Sequence, residues 1–223
     1  MNPAGPGDAP IDGAMTDLGA RRWDVVVVGA GPAGAMVARE LGRKGSAVLL
    51  LERQPFPRWK VCGACLSGAA QGALIHAGLG GLVARAPRLG ELRMTGWGKT
   101  AVVDLHHSVV LSREVLDYAL VQAAIQEGVV FEPGASAELG PVRDGERTLV
   151  VRRADGEQTV QARVVVGAAG LHGLRASSTA GSVPLATVGV DSRVGVGAVL
   201  GDGGGGYPPG VVHMVVGPAG YVG

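Results

Sequence analysis

Two groups of residues carry chemistry in this chain. The first is Gly29-Ala30-Gly31-Pro32-Ala33-Gly34 followed by Glu52. The glycines stand at the G-x-G-x-x-G positions of a dinucleotide site. Gly29 allows a tight turn, Gly31 lets backbone approach a pyrophosphate, and Gly34 permits close packing of helix on strand. Pro32 suits a first helical turn, where its missing N–H is no loss. Glu52 follows about 20 residues on, where a carboxylate accepts the ribose hydroxyls of an adenine dinucleotide. The second group is Arg58, Lys60, Cys62 and Cys65. Neighbouring cations favour a thiolate, so this C-x-x-C could be reactive. A zinc site would need two more ligands, and none of the five histidines supplies a pair at suitable spacing. A redox pair or inert buried cysteines remain the other readings.

A lone G-x-G-x-x-G is weak evidence, and its flanks strengthen it. Residues 25–28 form a short apolar run without polar alternation, which predicts a strand buried on both faces of a parallel sheet. A helix then passes Ala38, Leu41 and Lys44 and ends near Gly45, a natural C-terminal cap. A second buried strand, 47–51, delivers Glu52 at its carboxyl end. Two prolines make 54–67 an extended loop, which leaves at the strand ends where open α/β sheets form their ligand crevice.

Further on, Ser67 is placed to cap a short helix over 68–77 with Leu74 and Ile75 buried and Gly78 ending it. Gly96-Trp97-Gly98 reads as a turn before a strand over 100–105, and His106 and His107 as surface or strand-end residues instead of ligands. Ser112 caps an amphipathic helix over 113–127 whose stripe is Leu116, Ala119, Leu120, Ala123 and Ala124; Gly128 ends it. Residues 135–162 read as three short strands with Asp144-Gly145 and Asp155-Gly156 as turn signals. Val164-Val165-Val166 resumes a buried strand and runs into Gly167-Ala168-Ala169-Gly170, a second strand-to-glycine junction aimed at the same crevice. Residues 176–183 read as a loop, 193–200 as a strand, 203–206 as a flexible connection and 211–216 as a strand.

Composition bounds the rest. The chain has 223 residues, 47% of them hydrophobic but only 4% aromatic, so Ala and Val must make up most of its core. A net charge of +1 gives no argument for nucleic acid. Two cysteines imply no disulfide framework and point to a cytoplasmic protein. Residues 1–22 read as a flexible tail without a targeting signal, and no apolar run could span a bilayer, which leaves peripheral membrane contact open.

With these residues in view, the sequence resembles the FAD-dependent oxidoreductases related to geranylgeranyl reductases and single-component flavin monooxygenases. The likeness rests on the glycine motif with Glu52, on PRWKVCGACLS at 57–67, on LSREVLD at 111–117 and on GAAGLHGLR at 167–175. The resemblance implies an α/β fold: a Rossmann-like FAD-binding domain with a β-meander and an inserted, mostly antiparallel substrate domain. Its expected divisions are a tail at 1–22, an FAD-binding domain at 23–79 and 111–175, and a partial substrate domain at 80–110 and 176–223. It further implies that Gly29, Gly31 and Gly34 hold the pyrophosphate and Glu52 the adenosine ribose. Arg53 and Gly170 join them, and Arg58 and Arg113 contact phosphates or the ribityl chain. Cys62 would face the flavin on the substrate side with Lys60 nearby, and Cys65 would occupy a variable small position.

The activity implied is hydride transfer through FAD to an apolar unsaturated small molecule, or flavin-dependent hydroxylation, with NAD(P)H as reductant. This sequence carries Ala169 and Gly173 where the family pattern has Asp and Ser. It also lacks a later Gly-Asp-Ala motif, so it reads as the N-terminal portion of such a protein. The alternatives are a catalytically inactive adenine-nucleotide-binding module and a simple NAD-dependent dehydrogenase. The latter leaves 113–117 and the meander unexplained.

Overall fold

The computed structural model describes residues 11, 17–178, 181–187, 189–192, 195–198 and 206–223. Most of the expected tail, and most of the strand and connection expected over 193–206, lie outside these residues. The described chain divides into two compact units, one within Ala4–Trp59 and Asp117–Val194, the other within Lys60–Leu116 and Gly195–Gly223.

In the first of these, β1 (Trp23–Val28) leads through α1 (Pro32–Arg43) to β2 (Val48–Glu52). Unbroken aliphatic runs form β1 and β2 because both faces are covered, and Val26, Val27 and all of Val48–Leu51 are buried. β1 and β2 pair in parallel, Val25 opposite Val48, and β6 (Val130–Pro133) extends the ladder beyond β2. α4 (Arg113–Gln126) precedes β6, with Ser112 Oγ accepting from Val115 N–H at 3.2 Å. Leu116, Leu120, Ala123 and Ala124 of the predicted stripe are buried, Ala119 is half-buried, and Val121 and Asp117, outside that stripe, are buried as well. A Cβ on Gly42 of α1 would come within 2.8 Å of the Glu127 carbonyl, so glycine sets the close approach of α1 to the chain after α4.

The meander is β7 (Ser136–Arg143), β8 (Glu146–Arg153) and β9 (Gly156–Gly167). Asp144 and Gly145 both have positive φ, 52° and 78°, as a two-residue hairpin of matching twist requires. β9 is longer than the short strand expected, because it serves two ladders. It pairs antiparallel with β8 and then parallel with β1, Val25 opposite Val164. Leu149, Val151, Val160 and Ala162 cluster with Val26, Val28, Leu49, Leu51, Leu18 and Trp23. By strand alternation the opposite face, Val25, Val27, Val48 and Leu50, is left to α1. Helix and meander thus cover opposite faces of the parallel strands.

Two local expectations in this unit are corrected. The described residues of 176–183 form strands instead of a loop: β10 (Arg175–Ser178) pairs antiparallel with β11 (Gly181–Pro184) and extends the sheet through β7. Polar side chains build the pair: Ser177 Oγ donates to Glu138 at 2.7 Å and Arg175 Nε to Ser182 Oγ at 2.8 Å. Val164 is 52% exposed instead of buried, lying on a groove with Arg163 and Leu174. The first sheet therefore runs β11-β10-β7-β8-β9-β1-β2-β6.

The second unit has a five-stranded sheet among the described residues. β4 (Arg88–Gly96) and β5 (Lys99–Val110) form a hairpin closed by Trp97 and Gly98 at φ 50° and 70°. β3 (Cys65–Leu66) lies on β5, and β12 (Val211–Gly217) and β13 (Gly220–Val222) lie beyond β4. Two short helices, α2 (Gly68–His76) and α3 (Gly80–Arg85), complete it. Ser67 caps α2, but Ile75, expected in the core, is 56% exposed while Leu74 alone of the pair is buried.

Candidate functional site

β1 lies between β2 and β9, so the strand order reverses beside it, and the carboxyl ends at such a point are where open α/β sheets bind their ligands. There the Gly29 N–H donates to the Leu51 carbonyl at 2.8 Å, and the Ala168 N–H to the Val28 carbonyl at 2.8 Å. Both strand-to-glycine junctions therefore reach one place, as the sequence predicts. Gly29 has φ +109°, and a Cβ on it would sit 2.3 Å from the Ala168 carbonyl. Gly34 needs space rather than a special φ, since its Cβ would meet the Gly29 carbonyl at 1.8 Å.

Gly31 is the N-cap of α1 with φ −75° and ψ 179°, an extended conformation open to any residue. No side chain caps α1 and no acidic residue stands in its first turn. The positive end of the helix dipole, with its unbonded N–H groups, is therefore presented without a competing carboxylate. That is the donor set of a pyrophosphate site.

Glu52, at the end of β2, is buried, and its carboxylate is fixed from three directions. Oε2 accepts from the Ala30 N–H at 3.2 Å and from Arg58 Nη2 at 2.9 Å, and Oε1 accepts from the Gln54 N–H at 3.2 Å. Burial alone would raise its pKa. The Arg58 hydrogen bond and charge and the two backbone donors outweigh that and hold it below the ordinary glutamate value. Arg58 also gives Nη1 to Asp117 Oδ2 at 2.7 Å; its side chain is 8% exposed and that of Asp117 1%. The same guanidinium lies 5.4 Å from the Phe56 ring, which packs edge-on against Phe131.

Asp117 is the member of this buried cluster that spacing did not single out. The signal available was a carboxylate one position after Leu116 in the apolar stripe of α4. Arg53 is exposed beside Glu52, and Gly170, at φ +65°, opens a 3-10 turn, Gly170–His172, after Ala169. The structure thus gathers Gly29, Gly34, Glu52 and Arg58 with Ala30, Ala168 and Asp117.

Lys60, Cys62 and Arg113 belong to the second unit. Arg113 is the half-buried first residue of α4, and Lys60 is exposed. Cys62 and Cys65 are exposed free thiols. The Ala64 N–H donates to Cys62 Sγ at 3.4 Å, while Cys65 Sγ–H donates to the Gly63 carbonyl at 3.1 Å. N–H and C=O of one trans peptide point in opposite directions. The two sulfurs therefore sit on opposite edges of the Gly63–Ala64 peptide instead of facing each other. Partial desolvation of its sulfur and the neighbouring Cys62 push the Cys65 thiol up.

Among the described residues, no group of three or more His, Cys, Asp or Glu could hold a metal ion. No helix among them is long and apolar enough to cross a membrane. A cavity of about 350 Å³ lined by Leu139, Val142, Arg147, Arg163, Val165 and Leu174 contains none of the expected site residues.

A family model described as an FAD binding domain matches residues 22–196. The menaquinone reductase of Mycobacterium tuberculosis is 34% identical over 149 residues, 64% of this chain and 36% of that protein. Digeranylgeranylglycerophospholipid reductase 1 of Methanopyrus kandleri is 35% identical over 166 residues, 73% of this chain and 43% of that protein. The chain therefore spans less than half the length of either relative. Among solved structures, the myxobacterial chondrochloren halogenase CndH, described as a variant of FAD-dependent halogenases, aligns with a TM-score of 0.60 and 25% identity. That alignment covers 70% of this chain and 39% of the halogenase.

Proposed function

The chain belongs to the FAD binding domain family, and on that premise we propose that it binds FAD and works as a flavin-dependent oxidoreductase on an apolar, unsaturated small molecule. The observation that carries the reading is the joined arrangement of glycine turn, uncapped α1 and Glu52. The residues fit the cofactor. Gly29, Gly31 and Gly34 leave room for a pyrophosphate at the start of α1, and Glu52 is a fixed acceptor for ribose hydroxyls. Arg113 and Arg53 supply cations for the phosphates or ribityl chain, and Gly170 supplies backbone at the second junction. Bound FAD would supply the electron transfer; the protein supplies binding, orientation and exclusion of water.

In this reading Cys62 and Lys60 carry the substrate side of the reaction, and NAD(P)H is the reductant. The reductase outcome is preferred over hydroxylation because the loop around Cys62 and two reductases among the relatives point the same way. The test is incubation with FAD, gel filtration and visible absorbance, followed by NAD(P)H oxidation with a polyprenyl or quinone acceptor under argon and in air. Acceptor-dependent oxidation under argon supports the reductase; oxygen-dependent product supports hydroxylation. Colourless, folded protein would sink the flavin reading.

A second reading is favoured by Ala169, which leaves the second junction without its carboxylate. On it, the chain binds FAD without turning over. Retained flavin with no turnover under either atmosphere would select it.

A further inference from the structure

Given FAD binding as proposed above, we propose that Arg58 is a positioning residue: it bridges Glu52 to Asp117 and so aims the ribose-accepting carboxylate, acting through Glu52 rather than on the cofactor phosphates.

An ionised carboxylate has about four lone-pair sites. Ala30 and Arg58 fill two on Oε2, and Gln54 fills one on Oε1. One direction, on Oε1, is left for a hydroxyl donor. The three protein donors fix where it points.

Arg58 gives Nη1 to Asp117 and Nη2 to Glu52, with all three side chains nearly buried. Of its three nitrogen atoms, Nε alone lacks a partner among the described residues. Two of its five N–H donors are held by carboxylates and its side chain is only 8% exposed, which turns the fork toward Glu52 and Asp117 instead of outward to a phosphate. That planar fork is what spans the two carboxylates, and a lysine ammonium lacks the geometry. Because Ala30 in the glycine turn donates to the same Glu52 oxygen, the bridge ties turn, acceptor and α4 together.

The experiment is a double-mutant cycle on FAD affinity, read by quenching of flavin fluorescence in wild type, Arg58→Gln, Glu52→Gln and the double variant. Circular dichroism confirms folding, and Arg58→Lys replaces Arg58→Gln in the same cycle should the latter not fold. Each single change is expected to weaken FAD by roughly tenfold, the size of one charge-assisted hydrogen bond. The double variant should be no weaker than the worse single. The pH profile supplies a readout that a merely structural role would not move. FAD affinity should fall on acidification at a higher pH in Arg58→Gln than in wild type, because Glu52 has lost its cation. Independent, multiplying losses with an unmoved acid limb would overturn the proposal and point to direct phosphate contact. Wild type that binds no FAD would overturn the flavin reading, and this proposal with it.

Discussion

The Cβ that Gly34 lacks would fall 1.8 Å from the carbonyl oxygen of Gly29, the residue that opens the same turn. The turn and the first helical turn of α1 are in contact, backbone against backbone. Any side chain at position 34 must push them apart. Gly34→Ala should therefore cost about 3 kcal/mol and lower FAD retention. Gly45→Ala meets no atom within 4 Å but holds φ +83°, so it should cost about 1–2 kcal/mol for the left-handed backbone and leave FAD retention intact. Chemical denaturation of both variants, with bound flavin measured beside it, separates the two uses of glycine.

Acid should unfold the protein partly through its fixed carboxylates. Burial opposes ionisation of Glu52, but Arg58 and the backbone donors prevail. Glu138 is held low by Ser177 and Arg152 against its own burial. A carboxyl whose folded pKa lies below its unfolded one stabilises above the unfolded value, and loses that contribution as pH falls through the folded value. Stability should be flat near neutrality and decline below about pH 4.5, the ordinary glutamate value. In Glu52→Gln the decline should be shallower. Urea midpoints from pH 7 to pH 3 measure it; parallel curves for the two proteins would show that Glu52 plays no part.

The cysteines should differ towards alkylating agents. Cys65 carries a raised pKa, so little of it is thiolate near neutrality. In Cys62→Ser, alkylation of Cys65 by iodoacetamide should be slower at pH 7.5 than for a free cysteine and accelerate steeply above pH 9. Mass spectrometry of timed aliquots reads the rate. In the flavin reading, Cys62→Ser should abolish acceptor reduction and Cys65→Ser should retain it.

Ser112→Ala removes the acceptor for the Val115 N–H at the start of α4. A loss of about 1 kcal/mol is expected, measured as a lower denaturation midpoint with unchanged slope.

The parts legible in the sequence were those set by local spacing. Gly29 to Gly34, the aliphatic runs on either side and Glu52 lie within one βαβ unit, and the period of α4 and the Asp144-Gly145 turn are equally local. Arg58 was legible as a cation near the crevice, but its partner is not. Asp117 lies 59 residues away, and only the tertiary fold brings α4 to the loop. The β10–β11 pair escaped because small polar residues favour strands weakly; Glu138, from β7, holds it. Ile75 shows the limit of reading burial from apolarity on a nine-residue helix with a single buried position.

β9 also dictates the order in which the molecule can be assembled. Its pairing with β1 spans most of the described chain: Asp24 and Arg163, neighbours in the sheet, are 139 residues apart. At ordinary translation rates β1 waits on the order of ten seconds for that partner. Its Val-rich edge stays unpaired meanwhile, and the high contact order predicts slow closure. Since Ala168 completes the glycine turn, a nascent chain tethered with only the residues before β9 exposed should not capture FAD. One exposed past β11 should. Cofactor loading is thus a late, post-meander event, and the vulnerable species for aggregation is the half-synthesised sheet.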